Sequence, residues 1–188
     1  IYHLTGTYGR HKVDRLCADM GVPKKLYPYD LHTTPGDAVE AEKLLQKFSG
    51  ARLAVLHPFS GHSKKRISAQ GLGKILNILR ERGLAALVVG AANEKSKLDP
   101  DWKTESVFGL SFGVLIEVLK RAEVFAGTDS TVAHLAAFAN TPQLVILSTK
   151  LKPERYLPIS ERSRVFTIRI KQGGENQSLE KFRNALEA

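Results

Sequence analysis

Three short segments of this 188-residue chain carry groups from which a binding site could be built. The first runs from His57 to Arg66, His-Pro-Phe-Ser-Gly-His-Ser-Lys-Lys-Arg. Ser60, Gly61 and Ser63 are small enough to let backbone approach a ligand, and Lys64, Lys65 and Arg66 supply positive charge. That combination suits phosphate, although no Gly-Lys-Ser/Thr follows and the spacing is not that of a Walker loop. A solvated basic loop has the same composition. The second segment is Gly90-Ala-Ala-Asn-Glu94. A carboxylate at Glu94, in the first turn of a helix, could accept two hydrogen bonds from a ribose diol. The helix macrodipole favours Glu there in any case. The third segment is Gly127-Thr-Asp-Ser-Thr-Val-Ala-His134. Amides at a helix start suit a pyrophosphate, and the Ser130 and Thr131 hydroxyls add donors. Asp129 or Ser130 could equally be a cap, and His134 a packed core histidine.

Other chemistries find little support. The six histidines are scattered without ligand spacing, so no metal site is expected. The single cysteine, Cys17, falls on an apolar stripe and excludes an internal disulfide, which suits a reducing, cytoplasmic setting. No window reaches the ~18 to 20 apolar residues that span a bilayer. Lys and Arg outnumber Asp and Glu by 28 to 19, and a net charge of +9 attracts anions: nucleic acid, acidic lipid or phosphorylated small molecules. The basic residues are dispersed and aromatics make up only 7%, so a stacking platform for single strands is not evident.

The three segments need a frame, and hydrophobic periodicity supplies one. Val13, Leu16, Cys17 and Met20 form a helical stripe ending at Gly21; a connector rich in Pro and Gly follows from residue 22 to 36. A second helix has Asp37 as its expected N-cap and Ala41, Leu44, Leu45 and Phe48 on one face. From residue 51 short apolar runs alternate with amphipathic helices. Strands are expected at 53–56, 84–89, 106–108, 124–126, 144–147 and 165–170. Helices are expected to start at Ser68, Asn93, Ser111, Ser130 and Ser178. Such alternation predicts an α/β fold, a Rossmann-like doubly wound parallel sheet over 51–188, preceded by a helical connector over 1–50. Ligands of these sheets sit beyond the carboxyl ends of the strands, where all three segments fall.

In order and spacing the three segments resemble the C-terminal half of glycosyltransferase family 9, the ADP-heptose lipopolysaccharide heptosyltransferases. The matching residues are Leu56-His57-Pro58 with Lys65-Arg66, then Val88-Val89-Gly90 with Glu94, then Asp129-Ser130 with His134-Leu-Ala-Ala137 and Pro142; Pro153-Glu154-Arg155 and Pro158 extend the likeness. The resemblance implies a GT-B architecture, two Rossmann-like domains facing across a cleft. It implies a nucleotide-sugar donor held by Lys65 or Lys64 at the diphosphate, Glu94 at the ribose and the amides of Ser130 and Thr131 at phosphate. Asp129 and His134 would shape that loop, with Ser60 beside it. It further implies metal-independent transfer without a cofactor, onto an anionic glycolipid acceptor of the lipopolysaccharide core, with peripheral contact at the inner membrane. Thr131 stands where the family usually has Gly, and Ile67 where it usually has Trp.

The chain begins at Ile1, and the family's N-terminal half, with its acidic catalytic residue and acceptor site, is not among these residues. The expectation is therefore a piece of a larger enzyme that binds donor without transferring sugar. The alternatives are a non-catalytic nucleotide- or nucleic-acid-binding module, supported by charge alone, and another GT-B enzyme such as a nucleotide-sugar epimerase.

Overall fold

The computed structural model describes residues 17–21, 31–61, 67–98, 104–147, 158, 165–169 and 175–186. Of the first expected helix only residues 17–21 are described, helical at 17–19 and a turn at 20–21, and the part before residue 17 lies outside these residues.

The first full helix, α1 (Pro35–Leu45), starts one turn differently from the expectation. Thr34 is the N-cap, accepting from the Asp37 amide, while the Asp37 carboxylate reaches back to the Thr34 amide at 2.8 Å. Asp37 is thus the third helical residue, closing a capping box with Thr34. Pro35 occupies the first helical position, where its missing N–H costs nothing. A 3-10 turn (Gln46–Phe48) follows, and then β1 (Arg52–His57), α2 (Ala69–Glu81) and β2 (Leu84–Gly90). A second 3-10 turn (Ala92–Lys97) leads to β3 (Glu105–Phe108), α3 (Phe112–Lys120) and β4 (Val124–Thr128). Helix α4 (Thr131–Phe138), β5 (Gln143–Leu147), β6 (Val165–Arg169) and α5 (Glu175–Ala185) complete the order. Helix α5 begins three residues before the expected Ser178.

Local chemistry sets these boundaries. Ser68 accepts from the Gly71 amide at 3.0 Å and Ser111 from the Val114 amide at 3.2 Å, so both serines cap as their sequence contexts predict. Gly83, at φ 69, ends α2 in the left-handed region that glycine adopts without steric cost. Asn140, at φ 60, does the same after α4.

All six strands are parallel, in the order β3-β2-β1-β4-β5-β6. Their side chains alternate between two cores. Leu53, Val55, Leu87, Val89, Phe125 and Val145 point to one face, covered by α1, α3 and α4. Ala54, Leu56, Val88, Val124, Ala126, Leu144 and Ile146 point to the other, covered by α2 and by Phe182 of α5. Burial on both faces explains why the strands read as continuous apolar runs. Helix α1 belongs to the first core through Ala41, Leu44 and Leu45. It is tied there by Thr33, which donates to the buried Glu117 of α3 at 2.6 Å.

Strand order reverses between β1 and β4, whose residues pair from Ala54 with Val124 to His57 with Gly127. This is the topological switch point, where the loops leaving the two strands diverge and open a crevice at their carboxyl ends. Among the described residues, no helix is long and apolar enough to cross a membrane.

Candidate functional site

The crevice is assembled from three loop starts. The first follows β1, where Pro58, Phe59 and Ser60 continue the chain while still buried. Thr128, fully buried at the end of β4, donates its hydroxyl to the Phe59 carbonyl, which locks the two departing loops together. The Ile67 amide donates to the Pro58 carbonyl at 3.2 Å, which holds Ile67, the residue after the 62–66 segment, beside the β1 loop. Lys64 and Lys65 belong to that segment and lie outside the described residues.

Close backbone contact is required here. A Cβ at Gly127 would lie 2.7 Å from the His57 carbonyl and 2.6 Å from the Phe125 ring. At Gly90 a Cβ would lie 2.9 Å from Phe108 and 3.0 Å from Phe59, whose rings pack 5.9 Å apart across that glycine. Glycine at the end of β2 thus allows the aromatic contact that draws the 92–97 turn against the β1 loop.

The turn itself differs from the expected helix capped by Asn93. Its N-cap is Ala91, and Glu94 supplies the cap from inside: Glu94 Oε2 accepts from the Ala91 amide at 3.0 Å, while the Glu94 amide donates to the Ala91 carbonyl at 2.8 Å. That reach folds the Glu94 carboxylate inward, where Oε2 stands 3.4 Å from His57 Nε2. Lys97 approaches the other oxygen at 3.7 Å.

Ser130 is the N-cap residue of α4, yet its side chain makes no capping bond. Its hydroxyl turns instead to His57 Nδ1, 3.1 Å away. The start of α4 is therefore not closed by its own serine, in contrast to the starts of α2 and α3. The N-terminus of α4, with the positive end of its dipole, follows directly on β4 at the switch point, an arrangement suited to an anion.

His57 joins the two sides of the site. Only 6% exposed, it sits edge-on to Phe59 with ring centroids 5.7 Å apart. Burial pushes its pKa below the ordinary imidazole value; the Glu94 carboxylate opposes that shift and Lys97 adds to it. A neutral ring at physiological pH follows. Among the predicted site residues, Ser130 and Glu94 are brought together through this histidine. Ser60 is buried in the β1 loop, Asp129 is half-buried between β4 and α4, Thr131 is exposed as the first residue of α4, and His134 is half-buried one turn on. The linking role of His57 has no local signature in the sequence, because both of its partners are distant in the chain. The available signals are its position directly after the strand expected at 53–56, where a parallel sheet delivers its ligands, and its place in the Leu56-His57-Pro58 match. Among the described residues no three His, Cys, Asp or Glu side chains group as a metal site would require.

The model of glycosyltransferase family 9 (heptosyltransferase) matches residues 8–185. No curated protein sequence matches. Among solved structures, the glycosyl transferase family 9 protein of Veillonella parvula DSM 2008 aligns with a TM-score of 0.77 at 15% identity, covering 96% of this chain and 61% of that one. The E. coli ADP-heptose lps heptosyltransferase II gives a TM-score of 0.66 at 16% identity, with coverages of 94% and 59%. E. coli heptosyltransferase WaaC with ADP gives 0.62 at 15% identity, with coverages of 89% and 54%. The chain thus spans between 54% and 61% of these relatives' lengths. Identities this low carry the fold alone, which is that of the GT-B enzymes. The family match runs over nearly the whole sequence, and on that ground the chain belongs to glycosyltransferase family 9.

Proposed function

We propose that this chain is the donor-binding part of a sugar transferase whose donor is a nucleoside-diphosphate sugar, ADP-heptose by the chemistry of its relatives. The observation that carries the proposal is the constellation at the switch point. The Glu94 carboxylate and the start of α4, left without a side-chain cap by Ser130, are held to one buried histidine. A ribose and a diphosphate need that pairing of acceptor and amide cradle.

In this reading the diphosphate rests on the first-turn amides of α4, at Thr131 and beyond, with Ser130 beside it and Asp129 and His134 shaping the loop. Glu94 accepts from the ribose hydroxyls. Lys65, or its neighbour Lys64, pairs with the phosphates and offsets the charge that develops on the leaving diphosphate as the glycosidic bond breaks. These fixed charges and dipoles do the work a metal ion would otherwise do, and no cofactor enters. The acceptor, an anionic glycolipid of the lipopolysaccharide core, is met by a further domain that carries the catalytic base, so sugar transfer is a property of the larger enzyme. The net charge of +9 favours both the anionic donor and docking at an anionic membrane face from the cytoplasm.

Calorimetric titration of the chain with ADP, UDP and GDP tests the proposal, with Lys65→Ala and Glu94→Ala as variants. ADP binds in preference to the other two, and each substitution weakens it roughly tenfold or more. Equal and negligible heats for all three nucleotides would remove the proposal. Binding of DNA or RNA that is steeply salt-dependent and indifferent to ADP would replace it with a nucleic-acid module.

A further inference from the structure

The contacts of His57 determine where its protons lie. Nε2 faces the Glu94 carboxylate, an acceptor, at 3.4 Å, so Nε2 carries hydrogen. In the neutral ring Nδ1 is then a lone pair, and the Ser130 hydroxyl 3.1 Å away donates to it. The single Ser130 proton is consumed inside the protein, and its oxygen turns lone pairs toward the crevice. In that state Ser130 repels a phosphate oxygen instead of binding it.

A proton on Nδ1 reverses the arrangement. Nδ1–H donates to Ser130 Oγ, and the hydroxyl hydrogen swings out to meet an anion. Nε2–H to Glu94 becomes a charge-assisted bond, and the ring gains a positive charge beside the diphosphate.

We infer that His57 is a positioning residue that couples diphosphate binding at the start of α4 to the uptake of one solvent proton on its Nδ1, acting through the Ser130 hydroxyl. This rests on the proposed nucleotide site and deepens it by giving that site a dependence on pH. In the free chain, burial keeps the ring neutral, and an arriving diphosphate supplies the negative charge that makes the cation favourable. Among the described residues, the groups that face the ring are Glu94 and Lys97 from the 92–97 turn, Ser130 from α4 and the Phe59 ring from its own loop. Of the two charged ones, Glu94 favours the cation and Lys97 opposes it.

The test is calorimetric titration of the whole chain with ADP between about pH 6 and about pH 8, in two buffers of different ionisation enthalpy, for the wild type and His57→Gln. The wild type takes up close to one proton per ADP more than the variant in the neutral range. Its affinity also falls by up to about tenfold per pH unit relative to the variant above the free His57 pKa. Protonation of ADP itself is common to both proteins and cancels in the comparison. Identical proton counts and pH profiles, with ADP still bound, would overturn the inference while leaving the nucleotide site standing. Absence of ADP binding by the wild type at every pH would remove the nucleotide site and the inference together. If His57→Gln does not fold, the His57 Hε1 resonance of the wild type gives the answer. Its titration midpoint rises when ADP is added, and an unmoved midpoint contradicts the inference.

Discussion

At the scale of single residues, the site depends on groups whose value comes from what they are not doing. Ser130 holds the N-cap position of α4 without capping it, because its hydroxyl is spent on His57. Ser130→Ala should therefore leave helix stability almost unchanged, unlike an ordinary cap deletion, while lowering ADP affinity roughly tenfold. Circular dichroism melts beside calorimetric titration will separate the two effects. A loss of stability near 1 kcal/mol with unchanged affinity would make Ser130 a plain cap. Gly127 is constrained from the other direction, since a methyl group there would meet the His57 carbonyl at 2.7 Å. That contact is with backbone in a strand pair and cannot swing aside, so Gly127→Ala should cost about 1–3 kcal/mol in urea unfolding. Glu94, Asp129 and Ser130 were legible as candidates because they follow apolar runs, where a parallel sheet delivers its ligands. His57 was not, because its significance lies in partners contributed by two other loops. Their approach depends on Gly90, Phe59 and Phe108 closing the gap, a matter of packing that no local pattern records.

At the scale of elements, most of the sheet and its helices could be read directly. Short apolar runs buried on both faces separate cleanly from amphipathic stretches, and Ser68, Ser111 and Gly83 mark helix ends by chemistry that acts within four residues. The misplaced starts of α1 and of the 92–97 turn have a common cause, in that a carboxylate at the third helical position reaches back to the N-cap amide. Asp37 gave way to Thr34 because Pro35 fits the first helical turn, and Asn93 gave way to Ala91 because Glu94 caps from within. Ser111 carries an ordinary cap, so Ser111→Ala should lower the unfolding free energy by about 1 kcal/mol. Its Oγ also lies 3.4 Å from Asp37 Oδ1, a long contact expected to add little. A measured cost well above 2 kcal/mol would show that the α1–α3 junction relies on that contact more than its length suggests.

At the scale of the whole molecule, the sheet and the helix before it form one packed body on the α1 side, and Glu117 is a buried polar tie between them. Hydrogen bonds from Lys120, Thr33 and Arg121, at 2.7, 2.6 and 2.6 Å, hold its pKa down to about 2 from the ordinary 4.5. A carboxyl with a depressed folded-state pKa stabilises the fold fully above its unfolded value, and that contribution disappears as pH falls toward the folded one. Acid unfolding should therefore steepen between about pH 4.5 and about pH 2, and Glu117→Gln should flatten that interval while lowering stability at neutral pH. An unaltered acid profile in the variant would show that other carboxylates govern the transition. The same cohesion bears on function: the crevice is framed by β1 and β4 at the centre of the sheet, and His57, Ser60, Asp129 and Ser130 lie at the carboxyl ends of those two strands.

Donor binding as proposed requires the switch point between β1 and β4 to hold a nucleoside diphosphate. A crystal structure of the chain grown with ADP tests it most directly. The diphosphate should lie against the first turn of α4 at Thr131, with the ribose within hydrogen-bond reach of Glu94 and the Ser130 hydroxyl turned from His57 toward a phosphate oxygen. ADP bound elsewhere on the surface, with Ser130 still donating to His57 and the crevice empty, would contradict it.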